Sequence, residues 1–165
     1  DTASSFSRAF VIEAMGRECG YLSLVSALTS GAEMCLIPEI PYDLDHYKKR
    51  FKKEIEEGRG YFIAVVSEAL KRSEQIVEWF EEDIGVESRL MVLGHIQRGG
   101  NPTVRDRLMA FHFVTHAIDG LLEGNRSSVV CYNNGGFDHK KIEEVAFKKY
   151  QIKEDLLKLG REFGR

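Results

Sequence analysis

Arg8, Arg17, Arg89 and Arg98, with Glu68, His95 and a few glycines, are the residues of this sequence whose types and spacing could do chemistry. A guanidinium grips phosphate through two parallel, charge-assisted hydrogen bonds, each contributing roughly 1.5–3 kcal/mol. Gly16, Gly20, Gly99 and Gly100 let backbone amides approach an anion closely, and the helices that follow turn their positive N-termini toward it. Glu68 would repel phosphate but accepts hydrogen bonds from hydroxyls, so the set as a whole points to a phosphorylated polyol, a sugar phosphate. Taken singly, each residue has a plainer reading: a surface or ion-paired arginine, a hydrogen-bonded structural histidine, a surface carboxylate. Their grouping carries the ligand reading. No P-loop, HExxH, GxSxG or Cys/His metal spacing occurs.

The elements that must position these residues can be read from the apolar pattern. Arg8 to Glu13 suits a buried strand, and Leu24, Val25 and Leu28 recur at helical spacing from Tyr21 until Gly31 caps the helix. Ala32 to Ile37 is a second apolar run, stopped by Pro38. Asp43 can cap a helix whose Leu44, Tyr47, Phe51 and Ile55 form one stripe. Tyr61 to Ser67 reads as a strand covered on both faces, with Glu68 at its exit. Ser73 is expected to cap the next helix, followed by a strand from Ser88 to Leu93. Asn101-Pro102 is expected to open a long helix through Leu108, Phe111, Ile118 and Leu121. Val129 to Tyr132 is a last strand, Asn133 to Gly136 a turn, and the Lys-rich remainder one or two surface helices.

Strands alternating with helices require crossover connections, so the fold class is α/β, with a Rossmann-like, largely parallel sheet flanked by helices. Such sheets bind ligands beyond the carboxyl ends of their strands. Met15-Gly16-Arg17, Glu68 and His95 to Gly100 all lie just past predicted strand ends.

With 165 residues, 43% hydrophobic and 30% charged, the chain can bury a real core and is no disordered or disulfide-built segment. A net charge of -3 gives no basic excess for nucleic acid. The longest apolar run, Tyr61 to Val66, is far short of the roughly 18 residues of a membrane span. Cys19, Cys35 and Cys131 are odd in number with no CxxC pair, and no signal or lipidation pattern occurs, so a cytoplasmic location is expected. The cysteines read as core or wall residues, and the Lys48 to Lys53 cluster, interleaved with glutamates, as a solvated helix face.

Two segments give the sequence a family likeness. Val11-Ile12-Glu13-Ala14-Met15-Gly16-Arg17-Glu18-Cys19-Gly20, and Leu93-Gly94-His95-Ile96-Gln97-Arg98-Gly99-Gly100-Asn101-Pro102 with Asp106-Arg107, strongly resemble 6-phosphofructokinase. Gly31-Ala32-Glu33, Leu36-Ile37-Pro38-Glu39 and Val65-Val66-Ser67-Glu68 fall between them in the family's order. The likeness runs from Asp1 to about Gly136, and residues 1–165 are read as one fragment corresponding to the C-terminal, sugar-phosphate-binding half. The resemblance implies a cytoplasmic, glycolytic, allosteric homotetramer that transfers a phosphoryl group from ATP to fructose 6-phosphate, with magnesium. It implies that Met15, Gly16 and Glu68 hold the sugar, that His95, Arg98, Arg8 and Arg89 grip its phosphate, and that Arg8 and Arg89 come from a neighbouring subunit. Arg17 resembles the catalytic arginine beside the transferring phosphoryl group.

The family's nucleotide site and catalytic-base segment belong to its first half, and nothing here matches them, so the N-terminal half is an expected partner and the fragment alone is expected to be inactive. Cys19-Gly20 and His95-Ile96-Gln97-Arg98 look like the ATP-dependent branch; the alternatives are a pyrophosphate-dependent enzyme or a non-catalytic sugar-phosphate-binding module. The resemblance also implies an effector site at Gly31, Ala32, Glu33 and Arg59, with Glu33 near an effector-bound magnesium. Glu57, Tyr61 and Phe6 depart from that pattern, so nucleotide control is expected to be weak or absent.

Overall fold

The computed structural model describes residues 2–163, so Asp1, where the likeness was taken to begin, lies outside them. The chain divides into two compact units, residues 1–98 with 151–165, and residues 99–150.

The first unit is built on a four-stranded parallel sheet in the order β2-β3-β1-β4. Strand β1 spans Ala9–Ala14, β2 Met34–Leu36, β3 Phe62–Ser67 and β4 Ser88–Val92. The expected strands are therefore present, with their ends moved by no more than two residues. A helix precedes them, α1 (Thr2–Phe6). Helix α2 (Tyr21–Ser30) ends at Gly31, whose left-handed φ of 69° lets the Ala32 N–H reach back to the Ala27 carbonyl at 3.1 Å. Helix α3 (Leu44–Glu56) starts at Asp43, whose carboxylate accepts the Asp45 N–H. Helix α4 (Ser73–Trp79) continues through a π-helical turn, Phe80–Ile84.

One sheet face carries Val11, Met34, Leu36, Phe62, Ala64 and Val66, which pack with Tyr47 and Phe51 of α3 and with Ile76, Trp79 and Phe80. At the centre Phe51 stacks on Phe62 with ring centroids 4.4 Å apart. On the other face Ala27 of α2 packs with Ala14, Ala32 and Val65. Helix α7 (Glu154–Phe163) belongs to this unit, where Leu156 and Leu157 join Leu24, Ile37 and Ile152. A sheet covered on both faces needs apolar residues at successive positions, which is why β3 reads as a continuous run.

In the second unit α5 (Val104–Leu122) is followed by an antiparallel hairpin of β5 (Ser128–Asn133) and β6 (Gly136–Lys141), then α6 (Ile142–Val145). Asn134 and Gly135 have φ of 51° and 84°, the geometry of a type I′ turn. The Lys-rich segment expected to be helical is thus a strand through Lys141, because that turn returns the chain along β5. Strand β5 pairs with β6 and takes no place in the parallel sheet. His139 anchors the hairpin on α5, with Nε2 3.1 Å from the His116 carbonyl, and Gly120 is small enough to let its ring sit there.

Three local expectations change. Ser73 is the first residue of α4 and not its cap; its hydroxyl donates to Glu13 at 2.5 Å. Thr103, not Asn101, caps α5, because Thr103 and Asp106 satisfy each other's backbone amides in a capping box. The basic face of α3 is only partly solvated: Lys48 pairs with Asp83 at 2.5 Å, and the Arg50 guanidinium lies 4.9 Å from the Phe51 ring centroid.

Candidate functional site

All four strands of the first sheet run the same way, so their carboxyl ends lie on one edge. With β1 between β3 and β4, the loops leaving these three strands are neighbours, about 5 Å apart per strand. They carry Met15-Gly16-Arg17 after β1, Glu68 after β3, and His95 to Arg98 after β4.

A cleft of about 470 Å³ is lined by Met15, Gly16, Arg17, Leu22, Glu68, Gln97 and Arg98. Beside it a hollow of about 420 Å³ shares Met15, Arg17, Glu68 and Arg98 and adds Lys71 and His95. The structure therefore brings together Met15, Gly16, Arg17, Glu68, His95 and Arg98, the set expected from the strand ends.

The turn after β1 is held from both sides. The Gly16 N–H donates to Oε1 of Glu68 at 2.9 Å, and the Met15 N–H donates to Oε1 of Gln97 at 3.2 Å. Gly16 has a φ of 154°, and a Cβ there would stand 2.3 Å from the Cys19 carbonyl oxygen. Only glycine fits. Gly20 is equally confined: a Cβ would meet Ile37 at 2.3 Å, and its N–H donates to both carboxylate oxygens of Glu39 at 2.9 and 3.1 Å.

The side chains of Arg17 and Arg98 are exposed and have no ion-pair partner among the described residues. With Lys71 they set three cations against the single carboxylate of Glu68 in the cleft wall. Such a wall attracts an anion, and the free oxygen of Glu68 can accept from a hydroxyl.

Arg8 and Arg89 are elsewhere. Arg8 precedes β1 and Arg89 is the second residue of β4, so both lie toward the amino edge of the sheet, about 15–20 Å along the strands from the cleft. Arg8 meets Glu87 at 2.8 Å, and Arg89 also pairs with Glu87. Arg8 and Arg89 thus do not join Arg17 and Arg98 within this chain, because one stands just before the amino end of β1 and the other at the amino end of β4.

Glu33 and Arg59 do meet, and they meet each other. Oε1 of Glu33 takes the Arg59 guanidinium at 2.5 Å, and Oε2 accepts the Ile63 N–H at 2.7 Å. Arg59 also pairs with Glu54 at 2.9 Å. Gly31 and Ala32 lead into this cluster, as the left-handed cap of α2 and a buried wall residue. Both carboxylate oxygens of Glu33 are thus already hydrogen-bonded within the chain. Among the described residues no group of three His, Cys, Asp or Glu could hold a metal.

Burial, with a contribution from Glu39, pushes the Cys35 thiol up to about 12, and burial also raises the Cys19 thiol. A raised thiol holds its proton and is the weaker nucleophile for it. Sequence reasoning gave no role to Gln97 or Lys71. Lys71 sits in a left-handed conformation, φ 52°, at the end of the short turn Glu68–Leu70, and the pair of cations Lys71-Arg72 after Glu68 is the signal that could have found it. Gln97 offered none beyond its place between His95 and Arg98. No helix among the described residues is long and apolar enough to cross a membrane.

The family described as Phosphofructokinase matches residues 1–121. An ATP-dependent 6-phosphofructokinase of Sulfurovum sp. is 75% identical over 163 residues, which is 99% of this chain and 50% of that protein. One of Sulfurimonas denitrificans is 58% identical, covering 99% of this chain and 51% of that protein. The chain thus spans about half the length of these curated relatives. Among solved structures, phosphofructokinase from Saccharomyces cerevisiae superposes with a TM-score of 0.73 at 30% identity, over 87% of this chain and 21% of that one. A pyrophosphate-dependent phosphofructokinase from Marinobacter aquaeolei shares the fold, with a TM-score of 0.75 at 18% identity over 98% of this chain and 50% of that one.

Proposed function

The chain belongs to the phosphofructokinase family, and from that premise we propose that it is the fructose 6-phosphate-binding portion, the C-terminal half, of a 6-phosphofructokinase that uses ATP. The observation that carries this reading is the cleft at the carboxyl ends of β1, β3 and β4, where two unpaired arginines face a carboxylate held by the Gly16 amide. A phosphate group answers the arginines and His95, while the sugar hydroxyls answer Glu68. A neutral sugar would leave the cations uncompensated.

In this reading Arg98, with His95, grips the 6-phosphate, and the Met15-Gly16 turn seats the ring. Arg17 lines the cleft and is exposed, and in this reading its guanidinium offsets charge growing on the equatorial oxygens of the transferring phosphoryl group. Its role is electrostatic; it abstracts no proton. Arg8 and Arg89 serve the cleft of a neighbouring subunit, which suits their place at the opposite sheet edge and their shared, exposed partner Glu87. The names of the relatives support ATP as donor. Nucleotide, magnesium and catalytic base are contributions of the rest of the parent enzyme, and the proposed setting is cytoplasmic glycolysis.

The other half of the parent is the proposed partner, with subunit assembly beyond it. Along α5 the side chains Val104, Phe111, Leu121 and Leu122 are 84, 72, 66 and 82% exposed, an apolar surface of the kind a protein partner covers. Effector control is weak in this reading, because Glu33 and Arg59 neutralise each other.

Titration of the complete parent enzyme tests the assignment. Arg98→Ala should weaken fructose 6-phosphate binding by about 2 kcal/mol while leaving the weak affinity for fructose unchanged, and equal losses for both sugars would refute the phosphate role.

A further inference from the structure

We infer that Gln97 is a positioning residue of the cleft: its side-chain carbonyl fixes the Met15 amide, and so locks the Met15-Gly16 turn to the loop that carries His95 and Arg98. The inference rests on the fructose 6-phosphate reading for its ligand, but the contact itself does not.

Strand β1 ends at Ala14, and its last ladder bond toward β4 is the Leu93 N–H to the Glu13 carbonyl at 3.2 Å. The amides of Met15 and Gly16 come next in the chain, just past the end of β1. Each is taken by a side chain from a flanking loop, Met15 by Gln97 at 3.2 Å and Gly16 by Glu68 at 2.9 Å. Two anchors on opposite sides fix both peptide planes of the turn, where one would leave it free to rotate.

The other end of Gln97 shows that the carbonyl is what matters. Its Nε2 is buried and has no hydrogen-bond partner among the described residues. A buried donor left unpaired is destabilising, and an apolar side chain of the same shape would remove that penalty. Gln97 thus carries an amide that works against folding on one side and holds the Met15 amide on the other. Arg98, next in sequence, lines the same cleft, and His95 lines the hollow beside it. Releasing the Met15 amide would therefore shift the turn that seats the sugar relative to the side chains that grip the phosphate. The contact is made before any ligand reacts, so it acts on ground state and transition state alike and governs binding more than turnover.

Hydrogen exchange at single-amide resolution in the complete parent enzyme reads the contact directly. Gln97→Leu should speed exchange of the Met15 amide about tenfold or more, as expected for loss of one hydrogen bond, while the Val11 amide in β1 is unchanged. Gln97→Glu, which keeps an acceptor and removes the unpaired donor, should retain the slow exchange. In steady-state assays Gln97→Leu should raise KM for fructose 6-phosphate about fivefold or more with kcat within about twofold. Unchanged Met15 exchange in Gln97→Leu, or a fall in kcat at constant KM, overturns the inference. A wild-type parent that does not phosphorylate fructose 6-phosphate would instead refute the functional reading, and the exchange measurement would still decide whether Gln97 holds the turn.

Discussion

Adding one methyl group at position 16 probes the close approach on which the cleft depends. In Gly16→Ala the new Cβ would stand 2.3 Å from the Cys19 carbonyl oxygen, where non-bonded carbon contacts prefer about 3.5 Å or more. Roughly an ångström of movement is required on that comparison. The Cys19 side cannot supply it, because Gly20 is fixed through its N–H to Glu39 and is itself against Ile37. The turn must therefore shift and give up the Gly16 N–H bond to Glu68. Overpacking contributes about 1–3 kcal/mol, and loss of a hydrogen bond to a charged group about 1.5–3 kcal/mol, so a destabilisation of about 3–5 kcal/mol is expected. Urea denaturation followed by the fluorescence of Trp79, the single tryptophan, which packs on Phe80 in the core of the same unit, measures it. A loss below about 1 kcal/mol would show that the turn relaxes around a methyl group, and the argument from close approach would fail.

Cys35, whose thiol burial holds near 12, should stay protonated and resist iodoacetamide at pH 8 in the folded protein; peptide mapping that finds it alkylated as fast as in urea would contradict its burial. Hydrogen bonds from the Thr103 hydroxyl and backbone amide lower the Asp106 carboxyl below its ordinary value, so its contribution to α5 is fully present above the unfolded value of about 3.9 and is lost as pH falls through the folded one. Amide exchange in the first turn of α5 should therefore differ between wild type and Asp106→Asn at pH 6 and converge in acid, and a constant difference would refute the capping role.

What the sequence made legible is what burial and backbone capping write into it. Strand β3 shows as an apolar run because both sheet faces are covered, and α3 shows because Asp43 and the Tyr47-Phe51 stripe mark its start and its inner face. Two caps competed before α5, and residue type alone favoured Asn101-Pro102. Reciprocal bonding between Thr103 and Asp106 decided it. Strand β6 was hidden because only Phe137 in it is a large apolar residue, so it is defined by pairing with β5 and not by burial. Along α5 the apolar periodicity was visible, but periodicity does not say what covers a helix face, and much of that face is exposed.

The cleft was legible to the same depth and stopped for a related reason. Residue types and strand ends identified six of its residues, and the expected strands Arg8 to Glu13 and Ser88 to Leu93 already set Arg8 and Arg89 at amino ends, apart from those six. Gln97 needed one fact more, the strand order. Only with β1 between β3 and β4 do the loops of both neighbours reach the turn after β1, so that Glu68 takes one amide and Gln97 the next. With β1 at a sheet edge, a single neighbour would have to hold both amides, and the turn could pivot about that one anchor. The strand order therefore sets the rigidity of the Met15-Gly16 turn, and no pattern of types along the chain encodes it.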